Sequence, residues 1–226
     1  MESTPKIPMA DLRPYECQLR PAQVLVFGHS FVRRLNQDLI KKIGQYHNLG
    51  IDYNLAQINW LGIGGMSTKQ ARMEQLIVIQ HLKPDVVYIE LGTLDLLEKR
   101  PESVASEIHD LVLDILSLDV KRVTVGQVIY RDESEDLDSQ ETEEFNGRVY
   151  DCNHYLGEFL QPHFTPGSRL WKHKGFWNSA YPLLMDDGLH LNTMGTYRLY
   201  RSIRGAVLQS VYSIPELFTP FGQLNY

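Results

Sequence analysis

Apolar residues recur along this chain in two alternating patterns. Val24-Leu25-Val26-Phe27 is a short continuous apolar run closed by Gly28, the mark of a strand covered on both faces. Phe31, Val32, Leu35, Leu39 and Ile43 then fall at helical spacing. The pattern repeats. Ile51 to Leu61 reads as a second strand ending in Gly62-Ile63-Gly64-Gly65, and Ser67 or Thr68 is placed to cap a helix running to about His81. Val86 to Leu91 reads as a third strand, ended by Gly92. Pro101 suits a helix first turn, and Val104, Ile108, Leu111, Val112 and Ile115 mark that helix as amphipathic. Val123 to Ile129 reads as a fourth strand. A helix from about Glu143 to Leu160, a short strand near Arg169-Leu170-Trp171, and a last helix capped by Thr193 and running to about Tyr212 complete the series.

Strand and helix in alternation predict an α/β fold with three αβα layers. The sheet should be parallel and doubly wound, with about five strands, as in flavodoxin-like folds. The Pro-punctuated residues 1–21 read as an extended arm, 22–212 as the domain and 213–226 as a tail. In such sheets function sits outside the C-terminal strand ends. Gly28 to Ser30, Gly62 to Gly65, Gly92 to Asp95 and the loop through Asp187 and His190 all fall there.

Charge adds little. The net charge is -6, but eight acids and no Lys or Arg lie between Asp132 and Glu144, so the rest is close to neutral and names no partner. That acidic stretch reads as a solvated loop or a frayed helix start. Two isolated cysteines, Cys17 and Cys152, make neither a disulfide framework nor a metal cluster, and they favour a reducing compartment. The histidines show no ligand spacing, so no metal and no cofactor is expected. Without a signal-like N-terminus or an apolar run approaching the ~18 residues of a membrane span, the expectation is a soluble, intracellular, cytoplasmic protein.

A hydroxyl needs a base to become a nucleophile, and the base is usually a histidine oriented by a carboxylate. Ser30 falls at a strand-to-helix turn, which exposes its oxygen and leaves its own N–H unpaired at the helix start. Asp187 precedes His190 by three residues, a spacing that lets the carboxylate reach the far ring nitrogen. Each motif alone also fits an ordinary turn: Gly-His-Ser a β–α connection, Asp-Gly a surface turn, Gly62 to Gly65 a plain glycine turn. Lys172 to Trp177 mixes cations with aromatics and fits either a nucleic-acid grip or a pocket wall with solvated lysines. Arg198, Arg201 and Arg204 fit either a phosphate-binding stripe or a solvated helix face.

In this order the motifs resemble the four blocks of the SGNH (GDSL-like) hydrolase superfamily, over about residues 23–208. The resemblance implies a metal-free serine hydrolase of esters, thioesters or amides. By it Ser30 is the nucleophile, His190 the base, Asp187 its orienter and Gly65 a backbone oxyanion donor. The Gly62-Ile63-Gly64-Gly65 turn is similar to that of the platelet-activating-factor acetylhydrolase branch. The segments Gly28 to Leu35, Gly175 to Trp177, Asp187 to Asn192 and Arg201 to Gly205 resemble SGNH domains carried by animal transposable elements.

Two positions depart from the family pattern. His29 stands where Asp is usual. Leu94 stands where the family has an Asn that completes the oxyanion hole, and loss of one such donor typically costs about 2.7–4 kcal/mol. Two readings follow: an esterase acting on a small acyl ester, or an SGNH-fold module of low or absent turnover that binds nucleic acid or a protein.

Overall fold

In the computed structural model, which describes residues 18–42, 47–135, 138–176 and 183–218, the first strand carries a continuous run of buried apolar residues. This is β1 (Ala22–Gly28), where every residue except Gln23 is buried. β2 (Ala56–Gly62) flanks it on one side, and β3 (Val86–Glu90), β4 (Arg122–Gly126) and β5 (Ser168–Trp171) follow on the other. The order is β2-β1-β3-β4-β5, and every pair is parallel. This is the doubly wound, five-stranded α/β sheet of flavodoxin-like order.

Side chains alternate across the sheet, so each face has its own core. Val24, Val26, Val86 and Tyr88 pack with Phe31, Val32 and Leu35 of α1 (Ser30–Lys42) and with Leu199, Ile203 and Val207 of α6 (Thr193–Tyr212). Leu25, Phe27, Val87, Ile89, Val123 and Val125 pack on the other face against α3 (Leu76–Leu82), α4 (Pro101–Ser117) and α5 (Ser139–Phe159). α3 is reached from the short α2 (Thr68–Gln70) through a π turn at Ala71–Gln75.

The chain reverses its winding between β1 and β3, and ligands of such sheets lie at that switch. Register brings the switch together. Gly28 lies opposite Gly62 on one side and Glu90 on the other, so the loops after β1, β2 and β3 leave the sheet side by side.

Several expected boundaries move, and β4 ends at Gly126 rather than Ile129. β2 begins at Ala56 rather than Ile51, because the buried Asn48 side chain bonds Ile51 O, Ala56 O and Ile58 N, each at 2.8 Å, and folds the 48–56 stretch into a turn. α5 begins at Ser139 rather than near Glu143, because Asp138 and Glu141 form a reciprocal capping box within the acidic stretch. The cap of α6 is Asn192, whose Oδ1 accepts the Gly195 N–H at 2.9 Å, and Thr193 is the first helical residue. Most of the expected arm and tail, with Cys17, lies outside the described residues. What is described of them meets, since Leu19 N donates to Leu217 O at 3.0 Å. Among the described residues no helix is long and apolar enough to cross a membrane.

Candidate active site

The turn after β1 is tight because its first residue has no side chain. A Cβ on Gly28 would overlap the Glu90 carbonyl and lie 2.8 Å from Val32 Cγ2. The His29 N–H donates to Glu90 O at 3.1 Å, and the His29 carbonyl accepts the Arg33 N–H at 3.2 Å. Ser30 is thereby the first residue of α1, half-buried, with a backbone N–H that has no acceptor within its own helix.

The loop carrying Asp187 and His190 is fixed from two sides. Met185 N donates to His190 O at 2.7 Å, and Asp132 N donates to Gly188 O at 3.0 Å. Gly188 has a φ of 63° and lies so close to the Asp132 carbonyl that a Cβ would overlap it. One Asp187 oxygen, Oδ1, accepts the N–H groups of Leu189 at 3.0 Å and His190 at 2.8 Å. The other, Oδ2, lies 2.7 Å from His190 Nδ1. A carboxylate only accepts, so the proton sits on Nδ1 and Nε2 is left basic. Partial burial pulls the Asp187 carboxyl upward, but the His190 and Leu189 donors outweigh it and hold Asp187 down at about 2.

Ser30 follows His29 in the turn, and His190 lies near enough that a proton on its ring would disfavour one on the buried His29. Among the described residues no hydrogen bond joins Ser30 Oγ to the His190 ring. The Asp187–His190 half of the arrangement is therefore formed in the structure, and the Ser30 link is not.

His29 is buried, and burial above all holds it neutral down to about pH 4. Its Nδ1 faces the Phe31 N–H at 3.4 Å and its Nε2 faces Thr93 Oγ1 at 3.3 Å. These bonds match the tautomer protonated at Nε2, which ties the nucleophile turn to the loop after β3.

After β2, Gly62 lies against the Arg33 backbone, where a Cβ would not fit, and Gly64 lies under the Arg33 guanidinium. Gly65 has a φ of 72° and open space on its Cβ side. In the loop after β3, Leu94 is 40% exposed while Thr93 is buried, so the two side chains point apart. Asp95 serves structure: its Oδ2 accepts the Thr68 N–H at 2.9 Å and faces Thr68 Oγ1 at 3.0 Å, and its Oδ1 pairs with Lys99 at 3.1 Å.

One polar cluster has no local signal in the sequence. Glu90 is buried at the end of β3, where it accepts from the Tyr88 hydroxyl and lies 3.2 Å from His173 Nε2. Ser202 Oγ lies 2.8 Å from His173 Nδ1 and accepts the Trp171 indole N–H at 2.9 Å. A Cβ on Gly126 would overlap this cluster. Burial, with the Glu90 charge next, drives the Tyr88 hydroxyl far above its ordinary range. His173 and Phe176 are thus interior, leaving Lys172 and Lys174 exposed, while Trp177 lies outside the described residues. Among the described residues no group of three His, Cys, Asp or Glu side chains is placed to hold a metal ion.

The sequence matches no protein-family model and no curated protein. Its fold does match solved structures. A GDSL-like lipase from Bacteroides thetaiotaomicron superposes with a TM-score of 0.67 at 13% identity, covering 84% of this chain and 89% of that one. A carbohydrate esterase family 3 protein from Talaromyces cellulolyticus gives 0.61 at 18% identity, over 85% and 99%. A lipase/acylhydrolase from Enterococcus faecalis gives 0.57 at 21% identity, over 88% and 98%. At these identities the likeness is one of fold.

Proposed function

We propose that the chain is a serine esterase acting on small acyl esters, with Ser30 as nucleophile, His190 as base and Asp187 as its orienter. The observation that carries this reading is the Asp187–His190 pair, whose bonding leaves Nε2 basic at the sheet edge where Ser30 opens α1. Ser30 Oγ attacks the ester carbonyl as His190 Nε2 takes its proton. The proton then passes to the leaving alcohol. Water activated by the same nitrogen hydrolyses the acyl-serine. The backbone N–H groups of Ser30 and Gly65 are the proposed donors to the oxyanion. The likeness of the Gly62–Gly65 turn to the platelet-activating-factor acetylhydrolase branch supports the role of Gly65. The wording of the Ser30 and His190 segments supports a place among SGNH domains of animal transposable elements.

A second reading, a binding module of low turnover, is favoured by Leu94, which presents methyl groups where the family has an amide. A fluorophosphonate probe separates the two. Covalent labelling that disappears in Ser30→Ala supports the esterase. A folded protein that stays unlabelled in the native form overturns it.

A further inference from the structure

A cavity of about 520 Å³ is walled by α1 on one side and by the 185–196 segment on the other, and Phe31 and Leu191, the chain neighbours of Ser30 and His190, line it. These are the two segments that carry Ser30 and His190. Cavities of roughly 300–1,000 Å³ are the size that holds small ligands.

Its chemistry is set by one stripe of α1. Residues three, four and seven positions apart share a helix face, so Arg33, Arg34 and Gln37 continue the line of Ser30 into the cavity. At about 1.5 Å of rise per residue, the two arginines stand about 4.5 and 6 Å along the axis from the serine. Arg33 also lies over Gly64, which joins the cavity to the proposed oxyanion turn. Neither arginine has a carboxylate within 4 Å among the described residues, and Arg34 Nε is buried with no hydrogen-bond partner. The terminal guanidinium nitrogens, rather than the buried Nε, are the donors that an anionic oxygen in the cavity can reach. Among the described residues Asp38 is the one acid in the lining, four residues beyond Arg34 and eight from Ser30, at the far end of the stripe. Met185 and Leu191 supply an apolar wall, and the Asn192 side chain is committed to capping α6.

We infer that this cavity is a specificity site for an anionic group, carboxylate or phosphate, carried by the ester substrate and held by Arg33 and Arg34. The inference rests on the esterase reading, and the following experiment keeps the two apart.

Four esters are compared with the full chain. Mono-4-nitrophenyl glutarate carries the anion on the acyl side, against 4-nitrophenyl valerate. The acetyl ester of 3-(4-hydroxyphenyl)propionate carries it on the alcohol side, against 4-ethylphenyl acetate. One anionic ester should exceed its neutral counterpart in kcat/KM by about tenfold or more, which also tells acyl side from alcohol side. Arg34→Met and Arg33→Met should each lower that ratio by about tenfold, a loss of the size expected for a charge-assisted bond. Lys121→Met, at the opposite edge of the sheet, should leave it unchanged. Ratios near one for both pairs, or ratios indifferent to both arginine variants, overturn the cavity's role. Loss of neutral-ester hydrolysis in Ser30→Ala tests the esterase reading separately. Should no ester be hydrolysed, calorimetric titration with glutarate and with inorganic phosphate decides. Binding that weakens in Arg34→Met supports the site and names the anion, and no binding of either overturns it.

Discussion

The carboxylate of Asp187 grips His190 twice, through the ring Nδ1 at 2.7 Å and through the backbone N–H at 2.8 Å. One side chain thus fixes both where the imidazole stands and which nitrogen carries its proton.

Asp187→Asn keeps the size of that side chain, but its amide can present an N–H to Nδ1 and favour the wrong tautomer. By analogy with serine hydrolases in which this change has been made, kcat for a small ester should fall by about 10³–10⁴ with a lesser change in KM. Because Asp187 stays ionised down to about 2, its own protonation should not shape the activity profile above about pH 3. A variant within a few-fold of wild type would remove Asp187 from the mechanism.

His29 makes stability depend on pH. Its folded value is about 4 against 6.5 for an unburied histidine, so the unfolded chain binds the extra proton between those values. Its contribution is intact above pH 6.5 and is lost as pH falls towards 4, by up to about 3 kcal/mol. Urea unfolding at pH 7, 5 and 4 should show this slope, and His29→Asn should flatten it whatever its stability at pH 7. Equal slopes in the two proteins would assign the acid sensitivity elsewhere.

The order of elements was legible because each strand is a short apolar run ended by glycine and each long helix shows its period. The Asp187–His190 contact was legible because a three-residue spacing reaches it. What failed were features in which a side chain does the work of backbone or of water. Ile51 looks like strand, but the Asn48 side chain takes its carbonyl. The acids at 138 and 141 are exposed, as expected of that stretch, but their reciprocal bonds fix where α5 starts. Glu90 looks like the polar end of a strand. Its partner His173 is 83 residues away, and no local pattern reports such a pairing. Arg33 and Arg34 read as the polar face of α1 until the 185–196 segment is placed opposite them.

The Glu90 cluster should behave as a buried structural unit. In His173→Ala the Glu90 carboxylate keeps only Tyr88 as a side-chain donor, and Ser202 loses its ring partner. Leaving a buried hydrogen-bonding group without its partner typically costs about 1–3 kcal/mol. Chemical denaturation should show a loss of that order, and a loss below about 1 kcal/mol would mean that water replaces the imidazole.

Leu94 gives the sharpest test of the proposed chemistry. As an acyl ester is attacked, its carbonyl oxygen becomes an anion, and the side chain at position 94 offers it only methyl groups. The neighbouring Thr93 does not stand in directly, because its hydroxyl faces the buried His29 while Leu94 is exposed. Leu94→Asn would add an amide donor at that position. A well-aimed oxyanion donor is worth about 10²–10³ in rate, so kcat for a small ester should rise by up to that factor. The gain should appear in kcat more than in KM, since the bond strengthens only as charge develops. It should vanish in the Ser30→Ala background. Absence of any gain in a folded Leu94→Asn protein would show that another group already serves the anion, or that the edge is not built for acyl transfer. Fluorophosphonate labelling of Ser30 in that variant then divides these outcomes, because only an activated serine reacts.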